Sequence, residues 1–547
     1  MLAHPEPSAP ARDIIIGIDA GTSVIKAVAF SRDGQQIATS AVQNRYVTTP
    51  DGAATQDMAR TWADCAAALR GLGDKVDGLA KRTAALGVTA QGDGTWLVGA
   101  SNAPVSDAWL WLDARAAATT ADLAAGPLNR ARFEATGTGL NTCQQGAQLA
   151  YMERHFPALL AQSETALHCK DWLYLNLTGI RATDPSEASF TFGNFRTRAY
   201  DDLVLEALGL THRRALLPQI IDGTETTHPL TEAAARETGL LAGTPVSLGY
   251  VDMVMTALGA GVHTGDAGAA CSTIGSTGVH MKAVRDDAIH LNDAGTGYVI
   301  CLPAARMVTQ VQTNMAATLN IDWVLNMAAD LQAETGPAPN HAEMVRRIDG
   351  WMARSDPGQI LYHPYISEAG ERGPMVNAAA RAGFIGLSAH HRFPDLLRAV
   401  VEGLGLAARD CYGAMGEMPT ELRLTGGAAR SEALRGVLAA ATGAPVRVSA
   451  REEAGAAGCA MMAAVAIGAY PDMDACIAEW VTPLLGAPEA PAPDLQRIYG
   501  GIYPAYARAR DALAPVWSDL AAHRAASART HQNKSPAADR AGLSEGE

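Results

Sequence analysis

Two short stretches, far apart in the chain, set a glycine beside hydroxyl side chains between strand-like apolar runs. The first is Asp19-Ala20-Gly21-Thr22-Ser23, after the β-branched run Ile14 to Ile18 and before the run Val24 to Phe30. The second is Gly275-Ser276-Thr277, inside Ala269 to Val279. Exposed amide N–H groups and hydroxyls at such turns suit phosphate oxygens, and Gly21 permits a positive φ and close backbone approach. Asp19 could hold the counter-cation of a phosphate, directly or through water. An ordinary hairpin with polar turn residues is the competing reading of either stretch alone. Two copies, one per half of the chain, could clamp a polyphosphate from both sides. The third chemical candidate is Asp252, four residues into Gly249-Tyr250-Val251-Asp252. A carboxylate at a strand-to-helix junction can sit in a cleft and take the proton from an attacking hydroxyl, whereas the bland alternative is a helix N-cap.

Polar residues at other element ends are candidates for meeting a hydroxylated ligand. Gln91-Gly92-Asp93-Gly94-Thr95-Trp96 closes the strand pattern Thr83 to Ala90, and Asp93 can accept two hydroxyl hydrogen bonds. A glycine-shaped turn with an Asx bond accounts for the same residues equally well. In Trp109-Leu110-Trp111-Leu112-Asp113-Ala114-Arg115, alternation predicts a strand with Trp109, Trp111 and Asp113 on one face, and a structural Asp–Arg pair competes with a catalytic role. Gln144 and Gln145 are either pocket donors or polar residues at the start of a helix that runs to about His155.

The elements that must position these groups follow from spacing. Met58, Trp62, Cys65 and Leu69 predict a packed helix over 57–72, and Asp33-Gly34 predicts a hairpin between the second and third strands. Lys170 to Gly179 and Thr183 to Ser189 read as scaffold: a helix stopped at Gly179 and a capped turn. Gly386 follows a strand, and Asp395 opens a helix whose apolar face carries Leu396, Val400 and Leu404. The strand Glu421 to Thr425 meets Gly426-Gly427-Ala428-Ala429-Arg430-Ser431, and a helix from Glu432 stops at Gly443. Such a junction lets a purine or ribose lie on bare backbone. The Ala/Gly-rich run Ala454 to Ala464 reads as a tightly packed helix of the same lobe, and the polar stretch from Ala521 as a disordered tail.

At 547 residues the chain exceeds a single core and predicts two to four domains. A formal charge of −14 excludes a nucleic-acid surface and a polybasic membrane anchor. The eight cysteines form no CxxC pair, which predicts free thiols in a reducing compartment, and no HExxH metal spacing is present. Residues 1–12 lack the apolar core of a signal peptide, and Ala456 to Tyr470 falls short of the roughly 20 residues of a membrane span, so the protein reads as cytoplasmic.

Taken in order, these motifs resemble the FGGY carbohydrate kinases of the actin/Hsp70/sugar-kinase ATPase superfamily. The resemblance rests on the two glycine-hydroxyl loops, Trp111-x-Asp113-x-Arg115, the Lys170-Asp171 to Ser189 block, and most specifically Ala382 to Leu387 followed by Asp395 to Glu402. It extends from Asp13 to Tyr506. It implies an α/β protein of two actin-like (ribonuclease H-like) ATPase domains with a cleft between them and a hinge near residue 260. Residues 13–260 would carry substrate and base and residues 261–520 the nucleotide, with tails at 1–12 and 521–547. The implied reaction is phosphorylation of a primary hydroxyl by ATP. Asp252 is then the base and Asp19 organises Mg²⁺. Gly21, Thr22, Ser23, Gly275, Ser276 and Thr277 hold phosphates, Gly426, Gly427 and Ser431 hold adenosine, and Gln91, Asp93, Trp111 and Gln144 line the substrate pocket. Thr318 and Leu319 depart from a small Gly/Ala pair common in the family. The pocket stretches look most like those of the family's erythritol-phosphorylating members, implying a four-carbon polyol, while spacing alone leaves xylulose, xylitol, ribitol and glycerol open. The resemblance also implies a homo-oligomer, dimer or tetramer. A sugar-responsive regulator that keeps the fold without turnover is the reading from another class; both aspartates and the absence of a DNA-binding segment argue against it.

Overall fold

The computed structural model describes residues 12–262, 268–337 and 339–533. Residues 1–11 of the expected tail at 1–12 and part of the expected hinge lie outside them. Two six-stranded mixed sheets organise the chain. The first is built from β1 (Ile14–Ala20), β2 (Val24–Ser31), β3 (Gln36–Gln43), β4 (Thr83–Ala90), β5 (Thr227–Pro229) and β6 (Pro245–Leu248), in the order β5-β6-β4-β1-β2-β3. The second is built from β7 (Ala269–Ile274), β8 (Gly278–Arg285), β9 (Tyr298–Cys301), β10 (Met307–Asn314), β11 (Glu421–Thr425) and β12 (Val446–Val448), in the order β9-β10-β8-β7-β11-β12.

The two sheets share a plan that the sequence does not repeat. In each, three neighbouring strands run antiparallel, β1-β2-β3 in the first and β7-β8-β10 in the second, and two later strands add in parallel beside the first of them; β9 extends the second sheet antiparallel to β10. Hairpins close locally through turns such as Asp33-Gly34, where Gly34 has φ +82. The parallel strands need crossovers, and helices supply them.

The main helices are α1 (Met58–Gly73), α2 (Gln145–His155), α3 (Cys169–Thr178), α4 (Pro185–Phe192), α5 (Asp252–Gly259), α6 (Thr318–Ala333), α7 (Phe393–Gly413), α8 (Glu432–Thr442), α9 (Ala454–Ala466), α10 (Met473–Trp480) and α11 (Pro493–Asn533), of which α5 lies between the two sheets in chain order and α9 to α11 follow the last strand. Helix α1 starts where Asp57 accepts the Arg60 amide and buries Met58, Trp62, Cys65 and Leu69, as the spacing predicts. Helix α7 begins two residues before Asp395, whose carboxylate reaches back to the Arg392 amide.

Period-two alternation decides which layer each face of β1 meets. Ile14, Ile16 and Ile18 join the core under α1. Ile15 joins the core that contains α9, and Gly17 on the same face meets α9 so closely that a Cβ there would stand 1.9 Å from Ala456 O. On β4 the equivalent contact is Gly87, whose Cβ would stand 2.0 Å from Cys459 O. Helix α9 therefore lies directly on backbone.

This corrects three expectations. Helix α9 does not complete the second lobe; its small residues fit the first sheet and α5. The strand expected over Trp109–Arg115 is two residues long, because the chain turns at Trp111 once Asp113 has accepted the amides of Ala54 and Arg115. The tail expected from Ala521 is helical to Asn533, continuing α11 on its Ala- and Arg-rich composition; residues 534–547 are not described. No helix among the described residues is long and apolar enough to cross a membrane.

Candidate active site

The face of β1 that carries Ile15 and Gly17 ends at Asp19. Its carboxylate abuts the first turn of α9, where a Cβ on Gly455 would stand 2.3 Å from Asp19 Oδ2 and 3.4 Å from Thr256 Oγ1 of α5. Among the described residues no hydrogen bond reaches the Asp19 carboxylate. Burial raises it to about 6, opposed by Lys26 and reinforced by Glu453, which pair with each other at 2.7 Å.

Asp252 is the first residue of α5, and the cap position belongs to Val251, so the capping alternative does not describe it. Asp252 Oδ1 accepts only the amide of Met253 at 2.7 Å, among the described residues. Its pKa is raised to about 8, first by burial, then by repulsion from Asp19, with smaller contributions from Glu187 and Asp93. Two buried carboxylates, one of which raises the other in this way, fit a cation between or beside them. A Cβ on Gly92 would stand 3.8 Å from Asp252 Oδ1, so the glycine keeps the space before the carboxylate open.

The first glycine-hydroxyl turn is tied to the pocket by a chain of hydrogen bonds. Trp111 Nε1 donates to Thr22 Oγ1 at 2.9 Å, and Thr22 Oγ1 donates to Gln91 Oε1 at 2.7 Å. Gln91 Nε2 donates to Gln56 Oε1 at 2.8 Å. Ser23 is exposed and its carbonyl accepts the Asn44 amide. Gly21 closes the turn with its N–H on Val24 O and does not use the left-handed region, contrary to expectation; the turn needs closeness, not a positive φ. Gln144 holds its own loop, with Nε2 on Gly139 O and Oε1 accepting the Asn141 amide. Gln145 likewise binds the carbonyls of Gly94 and Leu167. Asp113 and Arg115 form the structural pair, the guanidinium stacking 3.4 Å above Trp109.

Asp93 differs from these glutamines. It is 8% exposed, holds φ at 57°, and donates its own amide to Glu187 Oε1. Its Oδ2 accepts from Cys143 Sγ at 3.2 Å and Tyr298 OH at 3.4 Å, while its buried Oδ1 has no partner. Behind it lies a closed charge network. Lys170 Nζ sits 2.6 Å from Asp171, 2.6 Å from Asp184 and 2.7 Å from Glu187, all buried. The ammonium fills the centre that a metal would need, so this cluster is scaffold.

In the second half, the turn Gly275-Ser276-Thr277 joins β7 to β8, with Ser276 and Thr277 exposed and open space above Gly275. The carbonyls of Ser276 and Gly275 accept the amides of Ala317 and Thr318, which fastens α6 to the turn; Thr318 Oγ1 also donates to Gly275 O. Gly426, at φ +90, lies against Ile274, and Gly427 has open space beside it. Ser431 caps α8 through the Leu434 amide, so its hydroxyl is already engaged. Tyr298 and Arg372 are groups beside Asp93 and Cys143 that sequence reasoning missed. Neither sits in a periodic or turn motif, although Gly370-Glu371-Arg372-Gly373-Pro374 is a charged cluster among turn residues that could have drawn notice.

The model of the N-terminal domain of the FGGY family of carbohydrate kinases matches residues 14–259, and that of the C-terminal domain matches residues 271–467. The chain belongs to this family. It is 70% identical to the erythritol kinase of Brucella abortus (strain 2308) over 93% of this chain and 98% of that protein. To the xylulose kinase of Escherichia coli (strain K12) it is 29% identical, over 92% of this chain and 99% of that one. Among solved structures, the gluconate kinase from Lactobacillus acidophilus superposes with a TM-score of 0.83 at 21% identity, covering 93% of this chain and 99% of that one. The doubled sheet plan is therefore the actin-like ATPase fold, and the chain is an ATP-dependent carbohydrate kinase.

Proposed function

We propose that this FGGY kinase transfers the γ-phosphoryl group of ATP to a terminal hydroxyl of erythritol, giving erythritol 4-phosphate. The observation that carries the reading is the 70% identity to an erythritol kinase across nearly its whole length, against 29% to a xylulose kinase. The substrate oxygen forms a bond to the γ-phosphorus, the bond from that phosphorus to the β,γ-bridging oxygen breaks, ADP departs, and Asp252 takes the hydroxyl proton. A carboxylate raised to about 8 binds that proton firmly once it is itself ionised, which happens as the pH rises towards that value. Gly21, Thr22 and Ser23 hold phosphate oxygens from one side and Gly275, Ser276 and Thr277 from the other. Gly426 and Gly427 give adenosine bare backbone, with Ser431 holding the helix start beneath it. Asp93 takes substrate hydroxyls, and Trp111, Gln91 and Gln144 shape the pocket around it.

Asp19 would hold Mg²⁺, directly or through water: its buried, raised carboxylate lacks a hydrogen-bond donor among the described residues, a setting that favours a cation. The ion would supply neutralisation of phosphate charge. The eight cysteines are all buried and unpaired, which supports action in the reducing cytoplasm.

The test is ADP release with Mg-ATP against erythritol, threitol, glycerol, xylitol, ribitol and D-xylulose. Erythritol is expected to show the highest kcat/KM, and Asp252→Asn to lose at least about a thousandfold in kcat while still binding ATP. A pentitol or pentulose with the highest kcat/KM would replace the substrate assignment, and an active Asp252→Asn would remove the base.

A further inference from the structure

We propose that Arg372, from the second half of the chain, completes the polyol pocket opposite Asp93 and discriminates among polyols by length. The inference rests on the polyol-kinase reading and adds to it a specificity-determining residue. Four side chains from both halves converge: Asp93 and Cys143 from the first, Tyr298 and Arg372 from the second. Tyr298 OH lies 3.4 Å from Asp93 Oδ2 and 3.8 Å from Cys143 Sγ, and Arg372 Nη1 reaches Cys143 Sγ at 3.9 Å. Arg372 thus stands one sulfur atom away from the carboxylate, close enough for the two charges to stabilise each other, yet they form no ion pair among the described residues.

Both groups are left incomplete. Asp93 Oδ1 is buried without a partner, and the half-buried guanidinium has one sulfur contact for its five N–H donors among the described residues. A buried carboxylate oxygen and a neighbouring guanidinium that stop short of a salt bridge are complementary to a pair of adjacent hydroxyls. One hydroxyl donates to Asp93 Oδ1, and the next accepts from Arg372 while keeping its own proton to donate elsewhere. Counted from the phosphorylated end, these are the third and fourth hydroxyls of erythritol, so glycerol, with three, leaves the guanidinium without its partner and is penalised.

The loop that carries Arg372 is held firmly. Glu371 Oε1 accepts the amides of Met315 at 2.9 Å and Arg372 at 2.8 Å, and Gly373 is pressed on β10, where a Cβ would stand 2.6 Å from Thr313 O. Because Tyr298 and Arg372 come from the second half and Asp93 from the first, a bound polyol bridges the two halves. Ligand binding and closure of the cleft are then one event.

Calorimetric binding of erythritol, xylitol and glycerol, without nucleotide, tests this on wild type, Arg372→Met, Arg372→Lys and Tyr298→Phe. Arg372→Met is expected to weaken erythritol at least about tenfold and glycerol much less, with ATP affinity unchanged within about twofold. Arg372→Lys should recover part of the loss, and the milder Tyr298→Phe should weaken erythritol in the same direction, which guards against a variant that does not fold. Erythritol binding by Arg372→Met equal to wild type, or equal losses for erythritol, glycerol and ATP, would overturn the proposal. A wild type that binds polyols in this pattern without turning them over leaves it standing and removes the kinase substrate assignment. A wild type that binds no polyol removes both.

Discussion

At the scale of the residue, the proposed chemistry turns on two carboxylates, Asp19 and Asp252, that the fold places near one another although they belong to the first strand and to a helix far along the chain. Burial and the Asp19 charge raise Asp252 to about 8, so below that pH the carboxyl proposed as base carries its proton and cannot take another. Activity therefore rises with pH. We expect kcat/KM for the polyol to climb about tenfold per pH unit on the acid side and to level off once Asp252 is ionised. Raising the Mg²⁺ concentration should move the midpoint to lower pH, because a cation at Asp19 cancels the repulsion. A pH–rate profile that stays flat between about pH 6 and pH 8 would sink the assignment of Asp252 as base. Asp19, Thr22 and Asp252 were legible in the sequence because each belongs to a short local pattern: a hairpin tip or a strand-to-helix junction. Arg372 and Tyr298 were not, since only tertiary folding brings a half-buried arginine and an unremarked tyrosine against Asp93. Gln91 and Gln144 show the reverse case. Their side chains hydrogen-bond protein partners, which residue type alone does not reveal.

At the scale of the element, helix α9 explains why a stretch of alanine and glycine sits at the centre of the molecule. Gly17 and Gly87 on the sheet and Gly458 on the helix let backbone meet backbone: a Cβ on Gly458 would stand 2.1 Å from Met255 O. Neither partner can yield, because both belong to fixed elements. Gly87→Ala should lower stability by roughly 1–3 kcal/mol or more, read as a fall of several degrees in Tm. Gly436→Ala is the counterpart, with no atom near its Cβ position inside α8, and should raise stability by about 0.5–1 kcal/mol. If Gly87→Ala melts with wild type, the helix does not lie as close to the sheet as described here. The helical character of 454–464 was legible from composition, but its partner was not. Low side-chain volume announces close packing without saying against what. The same limit applies to 521–533, where polar composition hid a helix that continues α11, with little burial over 521–527.

At the scale of the whole molecule, chain order and spatial order part company. The expected division at about residue 260 falls between the last strand of the first sheet and the first strand of the second, yet the layer on one face of the first sheet comes from beyond residue 450. Helix α9 packs on β1, β4 and α5, and α10 follows it, with Trp480 5.5 Å from Phe30 and its indole N–H on Arg32 O. Arg451 reaches the same region, donating to the carbonyls of Gly34 and Trp480. The core that includes Ile15, Val28, Phe30 and Tyr250 is completed by Ala456, Cys459, Met461, Met462 and Trp480. A fragment ending at residue 262 would keep its own sheet and the α1 layer, but would leave the other face of β1 and β4 open to water. We therefore expect residues 1–262 expressed alone to lack a cooperative thermal transition and to bind a dye for exposed apolar surface. Co-expression with residues 263–547 should restore both folding and kinase activity. A fragment 1–262 that melts sharply near the temperature of the full chain would mean that α9 is an accessory, and that each half folds as an independent domain. The interleaving also gives the cleft its mechanical logic. The helix whose first turn touches Asp19 runs on from β12 of the second sheet, so Asp19 and the second sheet are linked through a single short segment, 449–453, that carries both Arg451 and Glu453.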